Sequence, residues 1–344
     1  MHRPANAAGV SPRAANGRAS RAAGSRCGDV VIDAVQKSFF NLLSQSALLK
    51  RLASRYGMAS PDSFARRFIA GETVQEAIDV ARTLQSKGFD LTLDYLGESV
   101  RTHQEADAAA REYVHLTDVL MQSGIERNIS LKLTQLGASV DRATCVDNLR
   151  RILEAADRHG FFVRIDMESS AYTDLTLDVF ETLWTRGHHN LGVVIQAALK
   201  RSEADVARVT ALGGRVRLVK GAYKEPADIA YPRKADVDAA FVRLMQRLLD
   251  SGEYPAIATH DPKMIDATLE YAEARGLPPS NYEFQMLYGV RRDLQRALSA
   301  DGYRVRVYVP FGREWFPYFM RRLGERPANV TFVVRAMLRD RGGA

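Results

Sequence analysis

Cysteine is nearly absent: 344 residues contain two, Cys27 and Cys145, in neither paired nor metal-ligand spacing. That rules out a disulfide framework and suits a reducing compartment. Long apolar runs are missing too, and none approaches the roughly 18–20 residues of a membrane-spanning helix. Metal hydrolysis would want an H-x-H or H-E-x-x-H cluster, which the chain lacks. His188-His189 falls in a Gly/Asn-containing turn and reads as solvated loop, and His260 stands alone, so no metal is expected. There is no G-x-S-x-G nucleophile elbow, and both cysteines lie away from strand ends. Neither a Walker A motif nor a G-x-G-x-x-G behind a strand occurs.

Acidic residues are absent from positions 1–28, which hold Arg3, Arg13, Arg18, Arg21 and Arg26. Of the net charge of +7, this tail supplies +5 and the remaining chain +2. The basic balance is therefore a tail property and not a nucleic-acid footprint. The Ala/Gly/Ser/Arg-rich tail lacks apolar periodicity and is predicted to be disordered. A transit peptide shares that composition, which would make the location mitochondrial; an unstructured extension is the plainer reading.

What is present is a regular alternation. Residues 30–57 have helical spacing, SPDSFARRFIAG (60–71) gives a short helix opened by Ser60-Pro61, and Thr73-Val74-Gln75-Glu76 is a capping-box start for a third helix reaching Lys87-Gly88. Strands are then predicted at 89–97, 128–137, 161–168, 191–198, 215–223, 254–261, 282–289 and 304–312, with helical stretches such as VDAAFVRLMQRLLDSG between them. Eight strand–helix repeats over roughly 250 residues fit an α/β fold of the (βα)8 TIM-like type better than a doubly wound sheet. The organisation is a tail (1–28), a helical arm (29–88) and a barrel (89–344).

Catalytic groups in such a barrel gather at the C-terminal strand ends. Here those ends are polar: Lys132 on the second strand, Asp166 on the third, Gln196 on the fourth, Lys220 on the fifth, Thr259-His260 on the sixth and Tyr308 on the last. One such residue would be an ordinary loop entry; their recurrence from strand to strand points to an enzyme. Two chemistries survive, a Schiff base on a strand-end lysine and a cofactor lying over the barrel mouth. Gly221-Ala222 would let a flat ring or a phosphate approach the backbone, although a tight βα turn explains the pair equally well.

The segment YVPFGREWFPYFMRRLGERPAN carries the sharpest signal. It sets Tyr318, Arg321, Arg322 and Glu325 on the eighth helix, with Tyr318–Arg321 and Arg322–Glu325 each three apart. Adjacent arginines can fork onto one carboxylate. The surrounding Trp315, Phe316 and Phe319 mark a helix packed on both sides.

These segments together closely resemble the proline dehydrogenase family, flavoenzymes that oxidise proline to pyrroline-5-carboxylate. The likeness spans about residues 35–335 and rests on SLKLTQLG, RIDME, VIQAAL, RLVKGAY, ATHD, YEFQMLYG and YVPFG…YFMRRLGERPAN, in that order. It is to the short monofunctional bacterial form. The resemblance implies that Arg321 and Arg322 bind the proline carboxylate, with Lys132 adding positive charge and Tyr318 and Glu325 holding the helix. It implies that Leu287 and Tyr308 pack on the pyrrolidine ring, Tyr308 favouring plain proline over hydroxyproline, and that Asp166 shapes the site. FAD would be held by Met167, Gln196, Arg217, Lys220, Gly221, Ala222, Thr259 and His260, with Arg217 near flavin N5. Hydride would pass from proline C5 to N5 and the electrons on to a membrane quinone. That implies a cytoplasmic enzyme touching the inner face of the membrane, with no nucleic-acid partner. The family often carries Asn after ATH; this chain has Asp261, to which no ligand role is assigned. The alternatives are a Schiff-base aldolase-type barrel on Lys132 or Lys220, and a methylenetetrahydrofolate reductase-like FAD barrel.

RVRLVKGAY (215–223) poses a separate question, because charges in a buried strand need compensation. Strand parity puts Arg217 and Lys220 on opposite faces, so the strand must end or bulge before Lys220, which Gly221 makes easy. The resemblance then assigns the compensation of both charges to the flavin and its phosphates.

Overall fold

The computed structural model describes residues 58, 63–97 and 100–324. The predicted tail, the helix over 30–57, the Ser60-Pro61 opening and Glu325 lie outside the described residues. A 3-10 turn at Phe64–Arg67 precedes α1 (Val74–Gln85), β1 (Asp90–Tyr95), α2 (His103–Ser123), β2 (Asn128–Lys132) and α3 (Arg142–Arg158). There follow β3 (Phe162–Asp166), α4 (Thr173–Trp184), β4 (Leu191–Gln196), α5 (Ser202–Ala211), β5 (Arg215–Val219) and α6 (Lys234–Ser251). The order ends with β6 (Ala256–Ala258), α7 (Pro262–Ala274), β7 (Glu283–Leu287), α8 (Arg292–Ala300), β8 (Val305–Phe311) and α9 (Trp315–Gly324).

All eight expected strands form, each parallel to its neighbours, and β8 pairs back onto β1 to close the barrel. The strands stop earlier than their apolar runs. After Lys132 the chain turns into a 3-10 helix, Leu133–Leu136, closed by Gly137 at φ +100°. The predicted capping box is present on α1, where Thr73 accepts from the Glu76 N–H and the Glu76 carboxylate accepts from the Thr73 N–H. Ala77, Ile78 and Ala81 of α1 are buried in the core, and the helix packs on β1 and β8.

The two faces of the barrel wall differ in kind. Outward positions are aliphatic or aromatic and buried under the helices, among them Leu91, Leu93, Leu131, Ile165, Val193, Leu218, Phe284 and Val307. The alternate, inward positions include Thr92, Asp94, Ser130, Lys132, Arg164, Asp166, Arg217, Glu283, Gln285 and Arg306, all buried or half-buried. Barrel interiors are ordinarily filled by branched aliphatics, so this lumen stands only if its charges pair.

They do. Arg306 donates to both oxygens of Glu283, at 2.8 and 2.9 Å, to the Leu91 carbonyl and to Glu126. Burial works to lower its pKa, but Glu283 and Glu126 outweigh it and hold the guanidinium above its ordinary value. Arg164 donates to the carbonyls of Arg215 (2.7 Å) and Val193 (3.4 Å) and lies over the Phe162 ring. Gly192 opposite leaves the room it needs, since a Cβ there would lie 2.6 Å from Arg164 Nη1 and 2.8 Å from the Arg215 carbonyl oxygen.

Residues through Phe319 form one compact unit; Met320–Gly324, the end of α9, belong to a second. At the start of α9, Trp315 donates from Nε1 to Glu72 at 2.8 Å, and Phe319 packs on Phe68.

Candidate active site

Register sets the predicted residues of neighbouring strands level with one another, although Tyr308 lies in the middle of β8. Lys132 of β2 is level with Asp166 of β3, and Leu287 of β7 with Tyr308 of β8. Asp166 gathers three of these groups. Arg217 Nη1 donates to its Oδ1 at 2.7 Å, the Tyr308 hydroxyl donates to its Oδ2 at 2.6 Å, and Lys132 Nζ lies 3.6 Å from the same Oδ2. Lys132 also donates to both oxygens of Asp94 at 3.2 Å, and Arg217 Nη2 donates to Ser130 Oγ at 3.1 Å. The Arg217 guanidinium lies over the Tyr308 ring, 5.4 Å from its centroid. Two cations and two carboxylates thus balance at the mouth. Burial, against the pull of Lys132, raises the Asp94 carboxyl above its ordinary range. Burial, together with the charge of Asp166, pushes the Tyr308 phenol well up and keeps it a donor.

At the adjacent strand ends the chain turns into loops. β5 stops at Val219, as parity requires, and Gly221 sits at φ +113°. A Cβ on Gly221 would lie 3.2 Å from Ala198 Cβ and 3.3 Å from Gln196 Oε1. Gln196 donates from Nε2 to the Glu168 carbonyl at 2.9 Å. His260 Nε2 accepts from the Leu287 N–H at 2.9 Å, which puts the ring proton on Nδ1. Thr259 Oγ1 accepts from the Asp261 N–H at 3.1 Å.

The charges of RVRLVKGAY are compensated inside the protein, which corrects the expectation that the flavin alone would do it. Arg217 is paired with Asp166 and Ser130. Lys220 Nζ donates to Asp238 Oδ1 at 2.5 Å and to Asp261 Oδ2 at 2.6 Å. One donor is left over: Arg217 Nε is buried and has no partner among the described residues.

The site so far is a paired polar cluster at the barrel mouth. The proline dehydrogenase family model matches residues 77–335. The chain belongs to the proline dehydrogenase family. Proline dehydrogenase 2 of Bacillus subtilis is 38% identical over 303 residues, covering 88% of this chain and 99% of its own. The proline dehydrogenase of Deinococcus radiodurans is 42% identical over 281 residues, covering 80% and 91% respectively. The crystal structure of proline utilization A (PutA) from Bdellovibrio bacteriovorus, inactivated by N-propargylglycine, superposes with a TM-score of 0.72 at 30% identity. That match covers 76% of this chain and 32% of the PutA chain, so this chain spans about a third of it.

For this proline dehydrogenase family member, the predicted residues divide into groups. Lys132, Asp166, Arg217 and Tyr308 meet in one network. Leu287, Thr259 and His260 form a second patch through the His260–Leu287 bond, and Met167 is buried next to Asp166 in sequence. Gly221 and Gln196 are in contact range, while Ala222 is exposed. Tyr318 is buried on α9, and Arg321 and Arg322 occupy the last turn of that helix. Sequence reasoning missed Asp94 and Ser130. Their one signal was period-2 polarity, Thr92 and Asp94 in DLTLDY and Ser130 and Lys132 in NISLK, which marks inward positions once the barrel closes.

Proposed function

We propose that this chain oxidises L-proline to 1-pyrroline-5-carboxylate, using FAD, with a membrane quinone as final electron acceptor. The observation that carries the reading is the coincidence of the family match with the Lys132–Asp166–Arg217–Tyr308 network at the barrel mouth. In support of a flavin, Gln196 lies in contact range of Gly221, and Arg217 Nε is a buried donor without a partner among the described residues; the motif adds Thr259, His260 and Lys220–Ala222. FAD, when bound, supplies the two-electron acceptor for the C–H bond beside the ring nitrogen.

The protein's own part is binding, orientation and electrostatics. Arg321 and Arg322 take the substrate carboxylate, on the strength of the motif, with Lys132 as a third cation and Tyr318 and Glu325 supporting the helix. Tyr308 and Leu287 flank the pyrrolidine ring. Asp166 keeps Lys132, Arg217 and Tyr308 in fixed relation, so that its removal would disperse all three. The amine must be unprotonated before it loses hydride, and the ammonium of Lys132 favours the neutral form. A Schiff-base reaction is disfavoured here. Lys132 and Lys220 each face two carboxylates, the reverse of the apolar setting that frees an amine for that chemistry.

Among the described residues no helix is long and apolar enough to cross a membrane. We place the enzyme in the cytoplasm, in peripheral contact with the membrane that holds the quinone. The test is a proline-dependent dye-reduction assay with an absorption spectrum on the same sample. Yellow protein whose colour proline bleaches is expected. Colourless protein trapped by borohydride with a carbonyl substrate would overturn the reading, and oxidation of NAD(P)H without proline turnover would point to a methylenetetrahydrofolate reductase-like barrel.

A further inference from the structure

Lys220 leaves β5 for a cluster of four charges. Its ammonium bridges Asp238 on α6 and Asp261 at the head of α7, while Lys234 donates to Asp238 Oδ2 at 2.5 Å and lies 3.4 Å from Asp261 Oδ2. Two ammonium groups and two carboxylates leave the cluster neutral. The side chains of Lys220, Asp238 and Asp261 are only 22%, 20% and 24% exposed, so solvent screens them incompletely.

The two oxygens of Asp261 do different work. Oδ1 accepts from the Lys263 N–H and caps α7, and Oδ2 holds Lys220. Capping needs only an acceptor, and Asn or Ser serves as well as Asp at that position. Holding Lys220 needs the charge. The second role is therefore removable without the first.

We propose that Asp261 sets this chain's affinity for a dinucleotide flavin, by competing with the flavin's phosphates for Lys220. The inference rests on the flavin reading above and concerns which group Lys220 serves. A phosphate anion entering a neutral cluster meets the Asp261 carboxylate beside the cation it seeks. Without that carboxylate the cluster carries +1, and a second of the three ammonium donors is freed.

The full-length chain is equilibrated with FAD or with riboflavin, which has no phosphate, and the bound fraction is read by flavin fluorescence. Asp261→Asn and Asp261→Ser should each bind FAD about tenfold more tightly than wild type, the size of one charge-assisted contact, with riboflavin affinity unchanged. Lys220→Met should weaken FAD and leave riboflavin alone. Two variants guard against a folding failure in either, and thermal unfolding close to wild type confirms that the cap survives. FAD affinity unchanged or weaker in both Asp261 variants, with wild type binding FAD, overturns the proposal and leaves the flavin reading standing. A wild-type chain that binds neither flavin overturns the flavin reading, and this inference with it.

Discussion

Asp94 shows what one side chain can decide in a charged lumen. It is fully buried, bonded to Lys132, and its carboxyl is raised by burial. A folded-state pKa above the unfolded value means that the folded chain binds more protons between the two, so stability falls as pH rises through that interval. Asn cannot titrate. The stability of Asp94→Asn relative to wild type should therefore climb as pH rises from about 4 and level off above the raised pKa, as urea unfolding across a pH series would show. A difference that shrinks with rising pH would mean that Lys132 outweighs burial. The paired arginines make the other prediction at this scale. Arg321→Met or Arg322→Met should raise the KM for proline roughly ten- to more than a hundredfold, from a charge-assisted bond worth about 1.5–3 kcal/mol. FAD should stay bound, and wild-type proline affinity in both variants would remove the carboxylate assignment.

At the scale of elements, the strands matter through what their inner faces hold apart and together. β4 contributes Gly192 where β3 projects Arg164, and no larger residue fits. Gly192→Ala would press a methyl group against the Arg164 guanidinium, the Phe162 ring and the Arg215 carbonyl. We expect a loss of about 1–3 kcal/mol, seen as a lower urea midpoint at unchanged slope. Wild-type stability would mean that Arg164 does not pack against Gly192. The β5 end is the counterpart at the mouth. Its strand stops at Val219, so Arg217 stays in the lumen while Lys220 turns out to α6 and α7. One short sequence thereby serves two separate charge clusters.

For the whole molecule, most of the excess positive charge lies in residues 1–28. Removing residues 1–28 takes away five arginines and lowers the net charge from +7 to +2. Proline oxidation should survive the deletion unchanged, while retention on heparin or nucleic acid should drop. A loss of turnover would give the tail a part in the enzyme that its composition does not predict. The barrel itself is held by an apolar shell between strands and helices and by a paired polar lumen, in place of the usual aliphatic filling.

The sequence by itself determined the eight strands, the helices between them and the polar strand ends, because periodicity, capping and turn signals are local properties of the chain. The capping box of Thr73 and Glu76 and the break before Lys220 were legible for that reason. Resemblance then supplied the family, which the comparisons bear out. Only the tertiary structure decided which charge neutralises which. Arg217 reaches Ser130 across 87 residues and Tyr308 reaches Asp166 across 142, distances that closure of the barrel abolishes and no spacing rule encodes. The partners of Asp94, Asp238 and Asp261 were unreadable in the sequence for the same reason. A carboxylate on a strand or a helix start announces its own charge, but not the cation that folding sets beside it.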